Sequence, residues 1–212
     1  RPDKLLPNFR SVVAYGIAID RGSIEAYFSK ASRRPITLHF QLATDEVDHI
    51  SLHLSRWLER QGHKSLFISQ NVNYHVFRGK PDFSHRHAAV AAGLGRLGLS
   101  SNFVHTQFMG AVHVASVITE AELAPDPMVS DEDNPCHQCK TCITICPVQA
   151  ISLERTKSFF MEGREYSHQW LNRIACGWGC GGLAGHQYQI GNQTVGTWAY
   201  NELPIPSSGA ES

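Results

Sequence analysis

Apolar residues in the first 120 positions follow two periods, one typical of strands and one typical of helices. Ser11–Asp20 (SVVAYGIAID) and Val112–Thr119 (VHVASVIT) are rich in β-branched residues and predict buried strands. His63–Gln70 predicts another strand directly after a helical segment. A strand that follows a helix in this way indicates a layered domain, in which helices pack against a sheet.

The clearest helix is predicted for Asp45–Gln61. Its apolar residues recur at the spacing of one helical face, namely Ile50, Leu54, Trp57 and Leu58. Pro35 is expected to interrupt any helix before this segment, and Gly62 suits the position just after its end. Shorter helices are predicted around 24–29 and, in an alanine-rich stretch, at 84–93.

A glycine-rich block, Ala92-Gly93-Leu94-Gly95-Arg96-Leu97-Gly98, contains the spacing G-x-G-x-x-G. A dinucleotide-binding fingerprint must follow a strand and open a helix. This block follows a predicted helix and precedes a predicted strand, so we reject that interpretation. Its glycines are expected to form a tight turn with positive φ and to let backbone segments approach closely. Arg96 is expected to be exposed, as arginine usually is.

The most specific motif is Cys136-His137-Gln138-Cys139-Lys140-Thr141-Cys142-Ile143-Thr144-Ile145-Cys146-Pro147, which has the form C-x2-C-x2-C-x3-C-P. This is the bacterial ferredoxin run, which holds iron–sulfur clusters through cysteine thiolates. Zinc sites usually pair two separated C-x2-C knuckles, and disulfide frameworks belong to small secreted chains. The motif therefore predicts a 4Fe–4S cluster in preference to zinc or disulfides.

Two further cysteines, Cys176 and Cys180, lie in a glycine-rich segment nearer the C-terminus. In two-cluster ferredoxins the fourth cysteine of the run serves the other cluster. By that rule Cys136, Cys139 and Cys142 take their fourth ligand from Cys176 or Cys180. Cys176-x3-Cys180 resembles the last half of a degenerate second motif, and in that register Cys180 completes the first cluster, while Cys146 and Cys176 lie near a second, depleted site. Two clusters ligated only by cysteine would need more thiolates than the six in this chain. One cluster is therefore favoured over two, and Cys146 stays open as a direct ligand in either case.

Length and composition limit the classes of function. The 212 residues, 42% of them hydrophobic, suit one domain with a small appended module, which we place at 1–127 and 128–212. Lys+Arg and Asp+Glu each number 19, so nucleic acid is not expected as a partner. No apolar run approaches the length of a membrane span, and no signal peptide is recognisable, although the start at Arg1 leaves an upstream leader open. Six cysteines, four of them in one motif, suit a reducing cytoplasm.

The order of the glycine block, a strand ending at Thr119, a proline-containing linker and the cysteine run resembles the epoxyqueuosine reductases and the related reductive dehalogenases. The resemblance covers roughly residues 45–152 and, more weakly, 11–20. It implies an α+β fold, with a nitroreductase-like αβ layered domain followed by a ferredoxin-like iron–sulfur module. It also implies that the first domain binds a corrinoid (cobalamin), to whose cobalt the cluster delivers electrons for a reductive cleavage.

The resemblance further implies candidate site residues. Epoxyqueuosine reductases carry an acidic proton donor before the glycine block; the nearest acid here is Asp82, and His85 lies beside it, so both are candidate catalytic residues. The candidate corrinoid contacts are Gly93, Gly95, Gly98 and Asn102. Structural explanations stay open beside these roles, because Asp82 suits a helix N-cap and Asn102 suits a left-handed turn.

Three functions share the cluster and differ in what the N-terminal domain holds. The first is a corrinoid-dependent reductase of a small organic substrate, supplied with electrons by a small donor such as ferredoxin or flavodoxin. The second is an electron-transfer protein without a catalytic site. The third is a protein that reduces the corrinoid of another protein.

Overall fold

The computed structural model describes residues 2–29, 31–32, 34–69, 74–75, 80–146, 148–179, 187–190 and 193–196. The chain divides into two compact units. The first consists of Arg1–Val76, Lys80–Gly98 and Asn102–His137, and the second of Phe77–Gly79, Leu99–Ser101 and Gln138–Ser212. The boundary along the chain thus falls inside the cysteine run.

The first unit mixes helices and strands. Its elements, in chain order, are α1 (Pro2–Leu5), β1 (Ser11–Ala18), α2 (Arg21–Phe28), α3 (Arg34–Arg60), β2 (Ser65–Ile68), β3 (Tyr74–His75), β4 (Lys80–Pro81), α4 (His85–Ala91), β5 (Gly95–Leu97), β6 (Phe103–His105) and β7 (Val112–Thr119). The strands predicted at 11–20, 63–70 and 112–119 are confirmed, as is the alanine-rich helix.

The main sheet has the order β1-β7-β2, and β7 pairs antiparallel with both neighbours. Successive residues of a strand face opposite sides of the sheet. Accordingly, Val117 packs with Leu58 of α3, whereas Ile118 packs with Ile68 and Phe83. Both Val117 and Ile118 are fully buried, so β7 forms the centre of the core of this unit.

Helix α3 is longer than predicted and buries a different face. It begins at Arg34, so the interruption expected at Pro35 is wrong: proline fits the first helical turn, where its missing N–H has no partner to lose. Ile50 and Trp57 are 39% and 55% exposed, so the predicted face is wrong for these two residues. The buried residues are Ala43, Val47, Ser51, Ser55 and Leu58.

Small polar residues explain the rotated face of α3. The Tyr15 hydroxyl of β1 donates to the carbonyl oxygen of Val47 and lies 2.7 Å from Ser51 Oγ. Serines on this face therefore let a large tyrosine ring approach the helix and satisfy its hydroxyl. A hydropathy pattern does not register such a contact, because it treats each serine as a surface residue.

The second unit contains α5 (Thr141–Thr144), β8 (Ile151–Met161), β9 (Arg164–Leu171), α6 (Arg173–Gly179), β10 (Gln187–Ile190) and β11 (Gln193–Gly196). β8 and β9 pair antiparallel as a hairpin. The β8–β9 turn consists of Glu162 and Gly163, which both have positive φ, 50° and 76°. Such a two-residue turn matches the twist of a hairpin.

Across the described part of the chain, no helix combines the length and the apolarity that a membrane crossing requires.

Candidate iron–sulfur site

The cysteine run folds as a loop that leads into the short helix α5. Gln138 and Lys140 both have left-handed backbone conformations, with φ of 53° and 62°. Left-handed residues in such a loop turn successive backbone N–H groups toward one side, an arrangement found around phosphate and iron–sulfur sites. Cys139 lies between these two residues with its side chain exposed, and Cys142 follows on α5, half-buried.

Two sulfur atoms of the run accept hydrogen bonds. Thr141 Oγ1 donates to Cys139 Sγ at 3.3 Å, and the Ala150 N–H donates to Cys146 Sγ at 3.2 Å. The Thr141 hydroxyl and the Thr141 backbone hold the pKa of the Cys139 thiol below its usual value. Because the thiolate is the form that binds metal, the chemistry of these donors fits a cluster.

Cys136 has a different environment, within the first unit. Its backbone N–H donates to Asn134 Oδ1 at 3.0 Å. Its sulfur lies against Gly98, where a β-carbon added to the glycine would be 3.5 Å from Sγ. The amide and the thiol of Cys136 are thus both in contact with neighbouring groups of the protein.

The remaining cysteines leave the ligand assignment open. The Cys176 N–H donates to the Asn172 carbonyl oxygen at 2.9 Å, at the start of α6. Cys180 lies outside the described residues. Within the described ranges, no three His, Cys, Asp or Glu side chains stand close enough together to bind one metal ion. The division of the six cysteines between one and two clusters therefore stays a prediction.

The glycine block makes the close backbone approaches that its sequence predicts. Gly93 has φ of +72°, and a β-carbon there would overlap the Pro127 carbonyl oxygen. A β-carbon at Gly95 would overlap the Val104 carbonyl oxygen of β6. Helix α4 ends at Ala91, before the block, which agrees with rejecting a dinucleotide site. These approaches are to the chain's own backbone, and corrinoid contact by the glycines stays a prediction.

Arg96 is buried, so the expectation that it is exposed is wrong. Only 7% of the residue is accessible. Its Nη1 donates to the carbonyl oxygens of Val129 and Ser130 at 2.9 and 3.3 Å, and its Nη2 lies 2.9 Å from Asp131 Oδ1. The segment before the cysteine run supplies all three acceptors, and sequence spacing alone could not reveal that encounter.

Asn102, the remaining candidate corrinoid contact, is exposed. Its carbonyl oxygen accepts from the Gly98 N–H at 2.9 Å, and its side-chain oxygen lies 3.5 Å from Arg86 Nη1. The left-handed turn suggested for Asn102 is instead at Ser101, with φ of 64°. That alternative is wrong by one residue, whereas corrinoid contact by Asn102 stays a prediction.

The two candidate catalytic residues differ in exposure. Asp82 is exposed in the bend before α4, but the N-cap of α4 is Ser84, so the capping explanation of Asp82 is wrong. His85 is only 9% accessible, and both of its ring nitrogens are buried. Burial lowers the pKa of His85, although the Ser69 backbone and the Asp48 carboxylate act in the opposite direction. The His85 imidazole is therefore neutral near pH 7.

His85 has polar neighbours that the sequence pattern did not predict. Ser69, just after β2, donates a short hydrogen bond to Asp48 Oδ2 of α3. The edge of the Phe83 ring approaches the imidazole, with 5.6 Å between the ring centroids. Asp48 lies one residue after the buried Val47. It is on the side of α3 opposite to Ile50 and Trp57, the two residues that the hydropathy pattern predicted to face the core.

No family model matches the sequence. A tetrachloroethene reductive dehalogenase of Dehalobacter restrictus is 34% identical over 97 residues, covering 42% of this chain and 18% of that protein. One from Desulfitobacterium hafniense is 41% identical over 68 residues, covering 32% of this chain and 12% of that protein. An epoxyqueuosine reductase of Bacillus cereus is 26% identical over 195 residues, covering 84% of this chain and 48% of that protein. The chain thus spans less than half the length of each of these relatives.

Solved structures of epoxyqueuosine reductases also match the chain. One, with an epoxyqueuosine-modified tRNA-Tyr stem loop, matches with a TM-score of 0.44 and 16% identity, over 70% of this chain and 38% of that one. The Bacillus subtilis structure matches with a TM-score of 0.43 and 19% identity, with the same coverage. In sequence, the chain has weak homology to epoxyqueuosine reductases and reductive dehalogenases, which confirms the resemblance seen in its motifs.

Proposed function

We propose that the chain is an iron–sulfur oxidoreductase in which a 4Fe–4S cluster delivers electrons to a second redox centre. The C-x2-C-x2-C-x3-C-P run carries the proposal, because its spacing is the bacterial ferredoxin pattern. Hydrogen bonds to Cys139 and Cys146 support it, since donors to sulfur stabilise thiolates. The similarity to two groups of proteins named as reductases supports the same class of activity.

The residues that would hold the cluster are Cys136, Cys139, Cys142 and either Cys180 or Cys146. When bound, the cluster supplies electron transfer. The protein's part is to donate hydrogen bonds to sulfur, from Thr141 to Cys139 and from Ala150 to Cys146, and at Cys139 this lowers the pKa of the thiol. Hydrogen bonds to sulfur, net charge and solvent exposure set the reduction potential of such a cluster.

For the second redox centre, the resemblance implies a corrinoid in the N-terminal domain. The substrate would then be a small organic molecule that undergoes reductive cleavage, and the electrons would come from a small donor such as ferredoxin or flavodoxin. Among the candidate residues, Asn102 and Asp82 present exposed side chains. The Asp82 side chain is exposed, whereas the His85 ring is buried, so Asp82 is the more accessible of the two candidate proton donors.

The alternative is an electron-transfer or corrinoid-reducing protein without substrate chemistry of its own. Two observations favour it. Both ring nitrogens of His85 are buried, and the space beside Gly93 and Gly95 is filled by the backbone of the chain itself. A protein that only passes electrons onward needs neither an accessible histidine nor open space beside these glycines.

The test is an ultraviolet–visible spectrum, with iron, sulfide and cobalt analysis, of anaerobically purified protein with and without added cobalamin. We expect iron and acid-labile sulfide in equal amounts, and cobalamin that co-elutes with the protein and is reduced through the cluster. A cluster without cobalamin binding would favour the electron-transfer alternative. Zinc in place of iron and sulfide after anaerobic reconstitution would overturn the proposal.

A matched pair of variants tests the fourth ligand. Cys180→Ala should lower the iron and sulfide content more than Cys176→Ala does, because only Cys180 is assigned to the first cluster. The two variants remove the same atoms from the same glycine-rich segment. Equal retention of iron in both would contradict the assignment and point to Cys146 as the fourth ligand.

A further inference from the structure

The segment that leads into the cysteine run, residues 127–136, is contacted by the glycine block near its start, in its middle and at its end; we call it the linker segment. Pro127 lies against Gly93, and Cys136 lies against Gly98. Between them, Arg96 binds the backbone of Val129 and Ser130. Gly93, Arg96 and Gly98 thus contact the linker segment in chain order, and the last of these contacts is to the first cysteine.

Arg96 makes the strongest of these contacts. Its side chain is 9% exposed, whereas that of its partner Asp131 is 72% exposed. An exposed carboxylate contributes little through charge alone, but a buried guanidinium must have acceptors for its N–H groups. The Val129 and Ser130 carbonyl oxygens provide them at fixed positions. Releasing the linker segment would leave the buried cation without these acceptors, so the guanidinium fixes that backbone.

A chain of hydrogen bonds continues from Asp131 to the first cysteine. Ser130 Oγ donates to Asp133 Oδ2 at 2.7 Å and accepts from the Asp133 N–H at 3.1 Å. The Asn134 N–H donates to the Asp131 carbonyl oxygen at 3.3 Å, and Asn134 Oδ1 accepts from the Cys136 N–H at 3.0 Å. The backbone held by Arg96 is therefore connected, turn by turn, to the amide of Cys136.

We propose that Arg96 is a positioning residue for the iron–sulfur site, which holds the linker segment so that Cys136 presents its sulfur in one place before metal arrives. The inference rests on the proposed function, since the position of Cys136 matters only if it is a ligand. A pre-positioned first thiolate lowers the conformational cost of assembling the other ligands. Lysine cannot replace this role fully, because it lacks the planar fork that reaches two carbonyls and a carboxylate at once.

The first test uses protein without metal. Hydrogen exchange of the linker-segment amides should become about tenfold faster in Arg96→Met, because hydrogen bonds from a charged donor are lost. Arg96→Lys should lie between this variant and the wild type, while the amides of β1 and β7 keep their wild-type rates. The matched control is Arg10→Met, which removes an exposed ion pair with Glu122 in the same unit and should leave linker exchange unchanged.

The second test uses protein reconstituted anaerobically with iron and sulfide. Arg96→Met should bind less cluster than the wild type, and its remaining cluster should have a shifted reduction potential and a broadened electron paramagnetic resonance signal. Arg96→Lys should recover part of both properties, and Arg10→Met should match the wild type. Unchanged linker exchange together with unchanged iron content and potential in Arg96→Met would overturn the proposal.

Two further measurements keep the outcomes distinct. If Arg96→Met does not fold, Arg96→Lys replaces it, because lysine keeps the charge and loses only the planar fork; wild-type linker exchange and wild-type iron content in that variant would then overturn the proposal. If the wild-type protein binds no cluster, the proposed function fails. In that case faster alkylation of Cys136 in metal-free Arg96→Met would still support the hold on Cys136, and an unchanged rate would refute it.

Discussion

Two segments that carry cysteines of the run differ in how the protein holds those cysteines. The linker segment ends at Cys136, whose amide is bonded to Asn134 and whose sulfur lies against Gly98. The loop from Gln138 to Cys146, here called the open loop, carries an exposed Cys139 and an Ile145 that is 73% exposed. In the first region the polypeptide itself determines where the cysteine lies. In the second, the described contacts are local to the short helix α5, and the sulfur atoms of Cys139 and Cys146 each accept one hydrogen bond from a nearby residue.

This difference suggests that the two regions have different roles when a cluster is assembled. A ligand fixed by the protein provides a starting point, and ligands on an exposed loop take their final positions as metal binds. Coupling of metal binding to local folding is common in small metal-binding modules. Changes in the linker segment should therefore alter the stability of the metal-free protein. Changes at the exposed Cys139 of the open loop should alter the cluster and leave that stability intact.

The largest expected effect is on metal binding. Cys139→Ala should abolish the cluster, measured as iron and acid-labile sulfide per chain after anaerobic reconstitution, because it removes a thiolate ligand. The free energy of unfolding of the metal-free protein should stay within about 0.5 kcal/mol of wild type, since the side chain is exposed. A large loss of stability in urea would break the distinction between the two regions.

The next effect is on the stability of the linker segment. Gly93→Ala places a β-carbon against the Pro127 carbonyl oxygen at a φ of +72°, and should lower the free energy of unfolding by about 3 kcal/mol. The control is Gly62→Ala, at a φ of +89° with nothing within 4 Å, which should cost only about 1–2 kcal/mol of backbone strain. Equal losses in urea denaturation would show that the close approach to Pro127 contributes nothing.

A smaller effect is expected at the amide of Cys136. Asn134→Ala removes the acceptor of the Cys136 N–H and should cost about 1 kcal/mol in urea denaturation of metal-free protein. Exchange of the Cys136 amide should become faster, and Asn134→Asp, which keeps an acceptor oxygen, should restore most of the protection. If Asn134→Ala exchanges at the wild-type rate, Cys136 is not held through this amide.

The smallest effect concerns the pKa of Cys139. Thr141→Val removes the hydroxyl that donates to Cys139 Sγ, so the pKa of the thiol should rise toward its ordinary value of 9.0. The rate of iodoacetamide alkylation should then shift to higher pH, with less thiolate present at neutral pH. Thr144→Val is the control, because the Thr144 hydroxyl donates to backbone carbonyls and not to sulfur. An identical pH profile in the two variants would exclude the hydroxyl as the cause.

Local patterns predicted the parts of the protein that depend on local chemistry. The β-branched runs at 11–20 and 112–119 became the paired strands β1 and β7. The glycine block turns at Gly93, as predicted, and Gly93 and Gly95 make close backbone approaches, but its part from Gly95 to Leu97 is the strand β5. The cysteine run could be assigned to iron–sulfur chemistry because ligand spacing within one loop is itself a local property. These features depend only on the conformational and chemical preferences of residues that are close together in the sequence.

Tertiary structure decided the features in which distant segments meet. Arg96 is buried because the backbone of Val129 and Ser130 and the carboxylate of Asp131, more than thirty positions away, supply acceptors for it. Helix α3 buries Ser51 in place of Trp57 because the Tyr15 hydroxyl of another element reaches it. The amino-acid sequence alone determined which residues can bind metal and that the chain turns at Gly93. Only the folded chain decided which polar groups are buried, since burying a polar group depends on a partner that residue order does not disclose.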